Sequence, residues 1–121
     1  MRFAIGTAAT VLIAVATAAT AEPARLTDMQ FVAANRCLGL MSSKTLGTAD
    51  APAMRKLVKD QSGGRERLIF DQADQARNDA EVAAGRGGAE LRARLISERD
   101  GVCHSFLSST AAAAADGGGR S

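Results

Sequence analysis

The sequence predicts an all-α fold, a small antiparallel bundle of about four helices, and three observations carry that prediction. Apolar residues recur at steps of three and four in each structured stretch, and nowhere alternate with period two over the length of a strand. Capping residues and glycine pairs divide the chain into four such stretches with short connections, which makes sequence neighbours antiparallel. Cys37 and Cys103 fall in the first and last stretches, and first and last helices are adjacent in an up-down-up-down bundle.

Residues 1–21 are set apart from the fold. Arg2, an apolar run from Phe3 to Ala16 and the small-x-small triplet Ala19-Thr20-Ala21 have the form of a cleavable secretory signal peptide. The competing reading is a retained anchor, but the apolar run is short of the ~20 residues a spanning helix needs. No Cys follows the cleavage triplet and no Arg-Arg pair precedes the apolar run, which argues against a lipoprotein or a twin-arginine signal.

The first helix is expected over residues 26–43. Thr27 and Gln30 form a capping box, Leu26 and Phe31 occupy the positions of a hydrophobic staple, and Asp28 suits the positive end of the helix dipole. Its inner face is read as Leu26, Met29, Ala33, Cys37, Leu40 and Met41, with Asn35 and Arg36 outside. Gly47 is a plausible stop. Asp50 is placed to cap a second helix with Pro52 in its first turn, running to Gln61. Ala53, Met54, Leu57, Val58 and Gln61 face inward there, and Arg55, Lys56 and Lys59 outward.

Gly63-Gly64 ends that helix, and the third spans 65–84. Its inner face, Leu68/Ile69, Ala73, Ala76, Ala80 and Ala83, is mostly alanine, which permits close helix approach but buries little area. Outside, Arg67 with Asp71 and Asp74 with Arg77 are spaced for ion pairs. A second glycine-rich break, residues 85–88, precedes a fourth helix over 89–107. Leu91, Leu95, Val102 and Phe106 mark one stripe on it, and Ile96, Cys103 and Leu107 the next; Gly101 is a weak point where the helix can bend. The domain is thus 22–109, and the Ala- and Gly-rich tail, 110–121, has nothing to pack and is expected to be disordered.

An exported chain with two cysteines points to a Cys37–Cys103 disulfide. It would close a loop of about 66 residues, which the chain-entropy argument values at about 4 kcal/mol.

Composition excludes several functions. Without Arg2 the chain has 14 basic residues against 13 acidic, a net charge of +1, which is no footprint for nucleic acid or an anionic membrane. With no Trp, no Tyr and four Phe there is little to stack bases or sugars on. Arginine outnumbers lysine and alanine abounds, a habit of bacterial genome composition. Neither Cys–His chemistry nor a serine nucleophile is assembled: Cys103 and His104 are neighbours that point about 100° apart on a helix, and no Gly-x-Ser-x-Gly occurs. The glycines at 85–88 lack the Lys-Ser/Thr of a phosphate loop.

Two readings from different classes remain. The first is a small exported, non-enzymatic protein without cofactor, periplasmic or secreted. It would act by contact with another envelope protein, as an inhibitor, an immunity-type protein or a chaperone-like module. Its candidate interaction face is charged: Arg55, Lys56 and Lys59 with Asp71 and Asp74. The second is a haem or metal carrier using His104 with Met29, by analogy of layout with four-helix haem carriers. The haem-attachment motif C-x-x-C-H is broken at Asp100, and a single histidine makes a poor ligand set.

Overall fold

A computed structural model of the 121-residue chain describes residues 25–47 and 49–109. The expected leader, 1–21, and tail, 110–121, lie outside the described residues. Among those residues the protein is all-helical, with four helices and no strand: α1 (Asp28–Ser42), α2 (Ala51–Asp60), α3 (Arg67–Arg86) and α4 (Ala89–Glu98). α4 passes through a π turn, Arg99–Cys103, and is helical again over residues 104–109.

α1 starts where its capping box requires. The Thr27 hydroxyl accepts from Gln30 N at 3.1 Å, and Gln30 Oε1 accepts from Thr27 N at 2.9 Å. The helix is buried on more than one side. Phe31, Ala34, Asn35, Leu38 and Gly39 join Cys37, Leu40 and Met41 in the interior. Two residues expected on the inner face and its opposite exchange roles: Met29 is 79% exposed, and Asn35 is buried. Asn35 is buried because α1 is the central helix. Three other elements pack around it, so a single stripe does not describe its contacts.

α3 makes the most extensive contact with α1, and the side chains at the crossing are small. Ala73, Ala80 and Ala84 are its buried residues. A Cβ on Gly39 would lie 2.5 Å from the Arg77 carbonyl oxygen and 3.0 Å from Ala80 Cβ, so only glycine allows the two backbones to come this close. Leu68, expected inside, is 61% exposed, because the stripe that faces α1 runs through Ala73 and the alanines beyond it.

α2 buries Met54 and Leu57 against α1 and presents Arg55, Lys56 and Lys59 to solvent, as its periodicity indicates, while Ala53, expected inward, is exposed. Asp50 stands at the N-cap position but does not cap. Its backbone is left-handed (φ 34°), whereas a capping side chain needs extended backbone to reach the first-turn N–H groups. Gly64, with φ 72°, closes the turn between α2 and α3.

The π turn sets which residues of the last helix face the core. His104 N donates to Arg99 O, five residues back, so the turn holds one residue more than an α-helical turn. Leu95 would share its face with residue 102 in a regular helix, seven positions on; with the extra residue it shares it with residue 103. Leu95 and Cys103 are accordingly buried, and Val102, expected on the Leu95 stripe, is 59% exposed.

Cys103 there meets Cys37 of α1, and the two form the disulfide, with their Cα atoms 5.4 Å apart. Glu98 and Arg99, just before it, add polar ties. Glu98 accepts twice from Arg36, at 2.6 and 3.1 Å, and Arg99 donates to the carbonyls of Leu46 and Gly47 at 2.6 and 2.9 Å. The expected Asp74–Arg77 pair forms, at 2.7 Å; Arg67 and Asp71 are not among the ion pairs of the described residues. No helix among the described residues is long and apolar enough to cross a membrane.

Candidate binding groove

α2 and α3 are consecutive in the chain, yet each packs on α1 and they barely touch one another. Their separation leaves a groove of about 310 Å³, floored by α1 and open to solvent on one side. Phe31, Asn35 and Leu38, at steps of four and three, come from α1. Val58 on one wall and Phe70 and Ala73 on the other extend the apolar surface. Arg55 and Lys59 stand on the α2 rim, Asp74 and Arg77 on the α3 rim, and Ser62 at one end.

The polar groups at the groove divide into satisfied and free. Asp74 is held by Arg77, and the Ser62 hydroxyl donates to Lys59 O at 2.7 Å. Arg55 and Lys59 have no side-chain ion pair or hydrogen bond among the described residues. Asn35 donates to Phe31 O at 3.0 Å, while its own carbonyl oxygen accepts from no protein group. Since no fully buried side-chain oxygen or nitrogen goes unsatisfied among the described residues, that oxygen keeps contact with solvent.

Beside the groove, near the N-terminus of α1, Arg65 holds the lining residue Phe31 in place. Its guanidinium lies 4.4 Å from the centroid of the Phe31 ring. It donates to Gln61 O (2.8 Å), to Leu26 O (2.8 Å) and to Asp28 Oδ1 (2.7 Å). Leu26 N in turn donates to Gln61 Oε1 at 3.0 Å, and Arg25 donates to Gly63 O. The segment leading into α1 is thereby strapped to the α2–α3 turn. Phe70 meets Phe31 edge-on, with ring centroids 5.9 Å apart, so Phe31 is contacted by both Arg65 and Phe70.

Of the charged face expected from sequence, the groove gathers Arg55, Lys59 and Asp74. Lys56 points away and pairs with Asp60 at 2.6 Å, and Asp71 is exposed outside the groove lining. Asn35, Phe70 and Arg65 escaped the sequence reading. The first two leave a signal, since Phe31, Asn35 and Leu38 form a second stripe at helical spacing beside the main one, and Phe70 stands three residues before Ala73 at the edge of the alanine stripe. Arg65 leaves none, because two of its three acceptors, Leu26 O and Asp28 Oδ1, lie more than 35 positions away in sequence and reach it only by folding.

His104 and Met29 are not brought together. Both are exposed, and Met29 lies eight residues from Cys37, roughly 12 Å along α1 at 1.5 Å per residue, whereas His104 adjoins the cysteine bound to Cys37. Among the described residues no three His, Cys, Asp or Glu side chains converge as metal ligands, and both cysteines are consumed by the disulfide. Comparison with protein-family models, curated proteins and solved structures finds no match to this chain.

Proposed function

We propose that this chain is a small exported, non-enzymatic binding module that acts by contact with another protein of the bacterial envelope, and that the α2–α3 groove is where it makes that contact. The carrying observation is an apolar trough with two unpaired cations, Arg55 and Lys59, on its rim. Binding sites combine apolar walls with a few placed polar groups in this way. A non-catalytic role is supported by what lines the trough. Its one hydroxyl and its one carboxylate are both engaged, and it has neither histidine nor thiol. Export is supported by the Cys37–Cys103 bridge, a bond that persists in oxidising compartments, together with the signal-like residues 1–21. Inhibitor, immunity-type and chaperone-like roles are forms of the same reading.

The test is site-specific photo-crosslinking in the producing cell. A photoreactive residue replacing Phe70, in the groove, should give a discrete adduct that disappears when Arg55 and Lys59 are both changed to Glu. The same residue replacing Asp79, on the flank of α3 whose charge reaches Arg36, should not. Equal adducts at both places, or none at Phe70, would refute the groove as contact site.

A further inference from the structure

We infer that the groove takes an acidic amphipathic helix of its partner protein, an inference that rests on the binding-module reading above. Shape is the first argument. α2 and α3 flank α1 without closing on each other, so the trough stands where one more helix would complete the packing around α1. On α3 it runs from Phe70 to Arg77, roughly 10 Å at 1.5 Å per residue, the length of two helical turns. Two turns present apolar anchors at i, i+3 or i+4 and i+7, the pattern by which helices dock in grooves. The trough is open along one side, whereas pockets for small molecules enclose roughly 70–90% of the ligand.

Charge is the second argument. Arg55, Lys59 and Arg77 stand against the single carboxylate of Asp74, so the rim is cationic on a chain whose overall charge is close to neutral. Glu or Asp flanking the apolar anchors would meet Arg55 and Lys59, the two cations that have no partner here; Lys or Arg in those places would be repelled. On the floor, the free carbonyl oxygen of Asn35 accepts a hydrogen bond from any donor among the anchors, which makes a purely aliphatic anchor set second best.

The experiment titrates two short helical peptides into the disulfide-bonded protein while its backbone amides are observed by NMR. Both carry Leu at i, i+3 and i+7; one has Glu at the flanking positions and the other Lys. The Glu peptide is expected to shift the amides of Asn35, Val58 and Phe70, to bind at least about tenfold tighter than the Lys peptide, and to weaken as salt is raised. The R55E/K59E variant, altered only at exposed positions, should keep its melting temperature and reverse the preference. Phe70→Ala should weaken binding of the Glu peptide. Absence of shifts with the Glu peptide, equal binding of the two peptides, or an unchanged preference in R55E/K59E would overturn the inference. Shifts from dodecanoate alone, with none from the Glu peptide, would overturn it in favour of a small amphipathic anion. Crosslinking at Phe70 in cells with no peptide binding sinks the acidic helix and leaves the groove; failure of both sinks the binding module.

Discussion

Arg65 places a guanidinium where 2% of its side chain reaches solvent, and it donates to three acceptors from one position. Two of those acceptors, Leu26 O and Gln61 O, are backbone groups from segments far apart in sequence, and the ring of Phe31 lies beneath the charge. Arg65→Ala should therefore lower unfolding free energy by about 2–3 kcal/mol, well beyond a surface substitution, because carbonyls lose a charged donor and Phe31 loses its cover. Arg65→Lys should recover only part of it, since an ammonium has its three donors on one atom and cannot match acceptors set around the three nitrogens of a guanidinium. Urea denaturation measures both; a loss below about 0.5 kcal/mol for the alanine variant would place Arg65 among ordinary surface residues. Nothing in the sequence around Gly63-Gly64-Arg65 marks this arginine out from the other basic residues, for its partners are defined by the fold and not by spacing.

The π turn between α4 and residues 104–109 is a correction of register. Its extra residue lets Cys103 take the face of Leu95 and turns Val102 outward. Deleting Gly101 should remove the extra residue, restore a regular helix and leave Cys103 facing Cys37. The deleted chain should still show no free thiol in a non-reducing mass measurement, and free thiols would show that the π turn has another cause. The Arg36–Glu98 pair is a second tie at this level, joining α1 to α4. Its hydrogen bond from Arg36 to the Glu98 side chain raises the Arg36 pKa above its ordinary value, against a smaller opposing effect of burial. A raised pKa on a cation contributes stability that is fully present below the ordinary guanidinium range and is lost only as pH climbs through the raised value. No titration of Arg36 should then be seen between about pH 6 and 9. Glu98→Gln should lower stability by roughly 0.5–1 kcal/mol throughout that window, a figure already discounted for the solvent that reaches both side chains. A loss confined to one end of the window would contradict it.

At the scale of the whole molecule, α1 is the hub and the disulfide is the covalent tie of the last helix to it. α1 holds α3 through a close small-residue crossing and α2 through Met54 and Leu57. The last helix has its polar and covalent ties to α1 and its loop gathered between Glu98 and Cys103, beside the buried Leu95. Replacing both cysteines by alanine should lower stability by about 4 kcal/mol, a large share of the roughly 5–15 kcal/mol typical of a domain this size. Hydrogen exchange should show the loss of protection concentrated in α4, with α1 and α3 least affected. Uniform loss across all four helices would mean that the bridge supports the α1–α3 crossing as well.

The sequence by itself determined the local events. The Thr27–Gln30 capping box, the glycine break after α2, the outward face of Arg55, Lys56 and Lys59, and the helical class of every described element follow from interactions within a few residues, which spacing records. It also pointed to the Cys37–Cys103 bridge, since a pair of cysteines on the inner faces of two helices has one way to join. Only the tertiary structure decided which faces of α1 are buried, because a helix surrounded on several sides has no single stripe to read, and Asn35 is buried for that reason. The π turn was hidden too, since one extra residue moves Cys103 and Val102 about the axis without altering their order in the chain. The groove was hidden for a related cause: it exists because α2 and α3 barely touch, and the distance between two helices is set by what both pack against.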